Sequence, residues 1–120
     1  MISKQNRLKE KEVKKVLQRW KPFFSYGIVL NYTKNRLDHN RFGIVIWWKS
    51  VINNIHRSYF RRRFYDLASQ FIETNNNQQS YDLVFVVKKQ TKLDKNSQES
   101  YTWFIKDIKF LLGKIFKNNK

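Results

Sequence analysis

Residues 41–71 read Arg41-Phe-Gly-Ile-Val-Ile-Trp-Trp-Lys-Ser-Val-Ile-Asn-Asn-Ile-His-Arg-Ser-Tyr-Phe-Arg-Arg-Arg-Phe-Tyr-Asp-Leu-Ala-Ser-Gln-Phe71. Two periodicities meet in this stretch. Arg41 to Trp48 is rich in β-branched and aromatic residues and reads as a strand. From about Ile52 to Phe71 the spacing is helical. At about 100° per residue, His56, Phe60, Phe64, Leu67 and Phe71 gather on one side. The opposite arc holds Asn54, Arg57, Ser58, Arg61, Arg62, Tyr65 and Ser69. A strand that runs into a helix with one apolar and one cationic face predicts a helix packed on a sheet, its guanidinium groups turned to solvent.

The rest of the chain fills in around this unit. Leu8, Val13, Val16, Leu17 and Trp20 recur at helical spacing, and Pro22 stops the pattern, so a first helix is expected over about Lys9 to Arg19. Phe23 to Thr33 reads as an extended segment with a bend near Gly27, and Lys34 to Asn40 as a polar turn. The segments 23–33 and 41–48 are expected to pair as an antiparallel hairpin. Tyr81 to Lys88 has a near-continuous apolar centre, which predicts a strand covered on both faces. Thr74 to Ser80 reads as a solvated loop. Asn96-Ser-Gln-Glu99 resembles a capping box opening a last helix, with Tyr101, Phe104, Ile105, Ile108, Leu112 and Ile115 on its apolar face. The expected fold is a single α+β domain over 1–120, in the order α-β-β(-β)-α-β-α. Its helices pack on one mixed or antiparallel sheet of about four strands.

Composition narrows the function. The 120 residues carry 25 Lys plus Arg against 9 Asp plus Glu, so the formal net charge is 25 − 9 = +16. Such a balance calls for a polyanionic partner, with nucleic acid ahead of an anionic membrane surface. An AT-rich coding bias would also raise Lys, but it does not explain the cluster Arg57, Arg61, Arg62 and Arg63. An ordinary solvated helix face mixes signs, and here only Asp66 offsets four Arg. There is no Cys, which excludes disulfides, a thiol nucleophile and Cys-based metal sites. Apolar runs are short, so no membrane-spanning helix and no membrane partner are expected, nor is a signal peptide, and a cytoplasmic location is the default. The nine acids are scattered, so no protein metal site is expected. His39 in a turn and His56 on an apolar helix face read as loop and core residues, so no catalytic residue is expected. Trp47 and Trp48 read as core or half-buried against a helix; the two must face opposite sides, which leaves room for one to be exposed.

The stretch from Arg41 to Asp66 resembles the signature of the bacterial ribonuclease P protein component. That family shows a strand of the type Arg-(Leu/Phe)-Gly-Ile-Ser-Val-Ser, followed by Lys-Lys-x-Gly-Asn-Ala-Val-x-Arg-Asn-Arg on a basic helix. Asn6-Arg-Leu-Lys9, Ile28-Val-Leu30, Tyr81 to Val87 and the final amphipathic helix extend the resemblance over nearly the whole chain. Lys49 falls on the first Lys of the pair and Asn53 on the family's Asn. Arg57 falls on the first Arg of Arg-Asn-Arg, and Arg61 and Arg62 on the Lys-Arg beyond. Ser50, Ile52, Asn54, Ser58, Tyr59 and Tyr65 depart from the pattern.

The resemblance implies the fold of the second domain of ribosomal protein S5, with a left-handed β-α-β crossover. It implies a subunit that is monomeric within a ribonucleoprotein. There a catalytic RNA, with Mg²⁺, removes the 5′ leader of precursor tRNA. The implied RNA-contacting residues are Lys49, Asn53, Arg57, Ser58, Arg61, Arg62 and Tyr65. Val13, Leu17 and Asn31 occupy positions where the family places leader-binding aromatics, and Tyr32 is the expected aromatic contact. The rival classes are an RNA-binding protein of ribosomal type and a basic protein of membrane surfaces or DNA.

Overall fold

The structure is a computed structural model that describes residues 4–18, 22–37, 39–47, 51, 54–74, 80–88, 93, 94 and 96–116. Its elements are a short 3₁₀ turn (Lys4–Asn6), α1 (Glu10–Gln18), β1 (Pro22–Phe24), β2 (Ile28–Lys34), β3 (Arg41–Ile46), α2 (Asn54–Thr74), β4 (Tyr81–Val87) and α3 (Gln98–Phe116). The α+β class and the element order agree with the sequence. The extended segment breaks at Ser25–Gly27 into two strands, as the Gly27 bend implies.

One expectation is overturned. β2 and β3 do not form a hairpin. The sheet order is β1-β2-β4-β3, with β4 inserted between them. β4 pairs antiparallel with β2 (Leu30 opposite Phe85) and parallel with β3 (Ile44 opposite Phe85). The physical reason lies in β4 itself. Its Leu83, Val84 and Phe85 are fully buried, so both its faces need cover and it takes a central position. β3–α2–β4 is therefore a parallel crossover, and α2 lies across β3.

Alternation along the strands sorts the core into two clusters. Leu30, Phe42, Ile44, Leu83, Phe85 and Val87 face α2 and α3, where they meet Phe60, Phe64, Phe104, Ile108 and Leu111. This side is aromatic: Phe64 packs edge-to-face on Phe85 at 5.1 Å, and Phe60 on Phe104 at 5.1 Å. Val45, Val84 and Val86 face the other way, toward Leu8, Val13, Val16 and Leu17. Gly43 lies under α1, where an added Cβ would sit 3.0 Å from Val13 Cγ2, so a side chain there would push α1 off the sheet.

Helix ends follow from local chemistry. At α1 the Lys9 N–H donates to Glu12 Oε1 at 2.9 Å, the reciprocal half of a capping box. At α3 the cap is Ser97, whose Oγ accepts from the Ser100 N–H at 3.2 Å. This places the cap one residue after the expected Asn96. Asn96 instead closes a turn on Asp94, its N–H donating to Asp94 Oδ1 at 2.9 Å. His56 is a core histidine, as expected, with Nδ1 3.6 Å from Asp94 Oδ1.

Candidate nucleic-acid interface

α2 presents its charge as the wheel implies. Phe60, Phe64 and Ala68 are buried against the sheet, while Ser58, Arg61 and Arg62 are exposed. Arg57 is half-buried and donates from Nη1 to Asn54 Oδ1 at 3.1 Å. Arg61 and Arg62 form no ion pair with a described residue, so their guanidinium groups face solvent uncompensated. Arg63 differs. Its Nη2 lies 3.4 Å from Asp66 Oδ2, and its guanidinium sits 5.4 Å from the centre of the Tyr59 ring. Asp66 therefore offsets Arg63 and leaves the other three. Lys49 and Asn53 lie outside the described residues.

Tyr65 is half-buried, and Arg7 covers its ring at 4.9 Å. Arg7 is brought there by the chain ahead of α1. That segment runs beside β3, the Leu8 N–H donating to the Phe42 carbonyl at 2.8 Å. The arc thus gains a further cation from a distant part of the sequence. Nothing local to Arg7 signals this, because the contact depends on the sheet edge.

The four leader candidates are divided by the sheet. Val13 and Leu17 pack on the strands from α1, and Asn31 lies on that same face, opposite Val84. Tyr32, the next residue, points the other way. It stacks on Phe23 at 5.4 Å and meets Tyr81 edge-on at 5.6 Å, as part of the large core. Adjacent strand residues face opposite sides, so Tyr32 lies on the face away from α1, half-buried against the large core. Among the described residues, one exposed aromatic on the α1 face is Phe24. It pairs with Val29, which in turn pairs with Val86. Phe24 is 64% exposed, and Lys88 Nζ stands 6.0 Å from its ring centre. Period-two alternation counted back from Val29 lands on Phe23 instead; the Ser25–Gly27 bend shifts the phase by one residue, so the sequence alone did not signal Phe24.

The α1 face is also polar at its other end. Arg41 donates from Nε and Nη2 to the two carboxylate oxygens of Asp82 at 2.8 and 2.7 Å, and from Nη1 to Glu12. Asn35 adds a bond to Asp82 at 2.8 Å. The Asp82 hydrogen bonds push the Arg41 pKa further up. The Lys9 amide holds the Glu12 carboxyl below its ordinary value, against some burial and with help from Arg41. These acids are committed to the fold. Asp107 is too, accepting the buried Gly27 N–H at 2.8 Å. Among the described residues no group of His, Asp or Glu is placed to hold a metal ion.

Comparison with known proteins agrees with this geometry. A family model described as Ribonuclease P matches residues 2–115. The ribonuclease P protein component of Fusobacterium nucleatum is 29% identical over 102 residues, covering 83% of this chain and 82% of that protein. The RNase P protein of Thermotoga maritima superposes with a TM-score of 0.63 at 18% identity, over 88% of this chain and 94% of that one. The Staphylococcus aureus RNase P protein gives 0.62 at 18%, over 87% and 95%. With its sheet order, basic α2 and family match in agreement, the chain belongs to the ribonuclease P protein family and is a protein subunit of that enzyme.

Proposed function

We propose that the chain binds the catalytic RNA of ribonuclease P through the Arg57–Arg61–Arg62 arc of α2 and Arg7, and binds the 5′ leader of precursor tRNA on the α1 face of the sheet. The observation that carries this reading is the pair Arg61 and Arg62, exposed and unoffset on a helix whose far side is locked into the core. Guanidinium groups fixed on a rigid rod neutralise phosphates without a large ordering cost. Ser58 adds a hydroxyl to the same arc, and Lys49 and Asn53 complete the expected contact set.

On the α1 face, Val13 and Leu17 offer an apolar wall. Asn31, 8% exposed, has a side-chain amide that bonds no described residue and suits a base edge. Phe24 supplies the stacking ring and Lys88 a nearby cation. The chemistry belongs to the RNA in this proposal, and Mg²⁺ is the RNA's ion, since the buried carboxylates here are used by Arg41 and Gly27. The protein acts as one copy per complex, in the cytoplasm. No helix among the described residues is long and apolar enough to cross a membrane.

The test is reconstitution with the cognate RNA and a precursor tRNA at limiting Mg²⁺. Faster leader removal on adding the protein is expected, with the gain lost in the Arg61→Ala, Arg62→Ala double variant. An unchanged cleavage rate, with ribosomal RNA as the species that co-purifies, would contradict the reading and favour a ribosomal-type RNA binder.

A further inference from the structure

A second cationic surface lies at the other edge of the sheet. α3 crosses β1 and β2, whereas α2 crosses β3. Given the order β1-β2-β4-β3, the two helices lie side by side toward opposite edges of the sheet, in contact through Phe60 and Phe104. Along the outer flank of α3, Trp103, Lys106, Phe110 and Lys114 follow at spacings of three and four residues. Tyr26, from the β1–β2 bend, joins them through an edge-to-face contact with Trp103 at 5.8 Å.

The rings are not fully absorbed by the fold. Tyr26 is 76% exposed and Phe110 51% exposed, and Lys114 Nζ stands 5.2 Å from the Phe110 ring centre. Gly113 is an independent sign. It lies inside α3, where glycine costs about 0.5–1 kcal/mol relative to alanine. A Cβ there would meet nothing within 4 Å, so internal packing does not require a glycine. It leaves a bare backbone step beside Phe110 and Lys114, which suits a ligand that approaches closely.

We infer that Tyr26, Trp103, Lys106, Phe110, Gly113 and Lys114 form a second RNA-binding ridge, one that takes unpaired nucleotides. The rings stack on exposed bases and the Lys residues neutralise the phosphates between them. Charge decides for RNA over a protein partner. An apolar protein surface would have to strip water from Lys106 and Lys114, whereas a phosphate backbone compensates them. Glu99 at the start of α3 is the acid on this flank, and Asp107 is turned inward to the Gly27 amide. The ridge lies outside the α2 arc and the α1 face, so the protein can hold two RNA segments at once.

The experiment uses the full chain and a 4-thiouridine-substituted single-stranded RNA about twelve nucleotides long, with a blunt duplex of the same sequence as control. Photo-crosslinks are expected at Tyr26, Trp103 or Phe110. Phe110→Ala should weaken single-strand binding by about five- to a hundredfold and leave duplex binding unchanged. Gly113→Glu, whose Cβ would meet nothing within 4 Å, should weaken it too, and thermal unfolding should show no loss of stability in either variant. Crosslinks confined to α1, β2 and α2, or parental single-strand affinity in both variants, would overturn the proposal. So would loss of self-association in Phe110→Ala with RNA affinity intact, which would make the ridge a protein interface. Failure of the cleavage assay alone leaves these results unaffected, because the oligonucleotide assay involves no catalytic RNA.

Discussion

The two faces of the sheet are built from different materials. The α2–α3 side is a closed aromatic core in which Phe42, Phe60, Phe64, Phe85 and Phe104 are fully buried. The α1 side is thin. Its cluster has three fully committed members, Leu8, Val16 and Val84, with Val13, Leu17, Val45 and Val86 only half covered. Its remaining area holds the polar groups Arg41, Asp82, Glu12 and Asn31 and the exposed ring of Phe24. The difference teaches how one four-stranded sheet divides its tasks. One face supplies the stability that holds the α2 arginines in place, and the other is left partly open.

The largest effect should follow from breaking the closed face. Phe64→Ala removes a ring that touches Phe42 and Phe85 and is expected to cost about 3–5 kcal/mol, measured by denaturant unfolding. On the open face, Asp82→Ala leaves Arg41 with Glu12 alone and takes a partner from Asn35. The expected cost is smaller, about 2–3 kcal/mol. The reverse order would show that the polar network, not the aromatic core, carries the fold.

Much of this contrast was legible in the sequence. The α2 face, with Phe60 and Phe64 against Arg61 and Arg62, follows from helical period alone. The continuous apolar run of β4 announced a strand covered on both sides. The error over pairing arose because strand partners are chosen by burial across the whole sheet. A local reading sees β2 and β3 joined by a short polar turn and pairs them, while the apolar centre of β4 outcompetes β3 for the place beside β2. The candidate site was legible where it depends on one helix. It was not where it depends on two elements, as with Arg7 over Tyr65 or Lys88 beside Phe24. That Asn31 and Tyr32 lie on opposite faces was legible too, since adjacent strand residues alternate.

A gentler perturbation sharpens the comparison. Gly43→Ala puts a methyl 3.0 Å from Val13 and should cost about 1 kcal/mol, loosening α1 rather than α2. Hydrogen exchange should then speed up in α1 and stay unchanged in α2; uniform acceleration would mean that the two faces unfold as one. Acid should act in the same direction. The Glu12 carboxyl titrates below its unfolded value of 4.5, so it adds stability above that pH and loses it as pH falls through the folded value. The acid limb should flatten in Glu12→Gln, measured by unfolding at stepped pH.

The smallest effect on stability and the most direct test of the account belong to the α2 arginines. Binding of the cognate catalytic RNA should be titrated at several salt concentrations for Arg61→Ala, Arg62→Ala and Arg63→Ala, with unfolding midpoints measured in parallel. The account predicts that Arg61→Ala and Arg62→Ala each lower the log–log salt slope by roughly 0.7–0.9 per lost phosphate contact without moving the midpoint. Arg63→Ala, already offset by Asp66 and covered by Tyr59, should stay near the parent slope. An equal loss in Arg63→Ala, or a fall in stability in Arg61→Ala or Arg62→Ala, would contradict the assignment of this face to RNA.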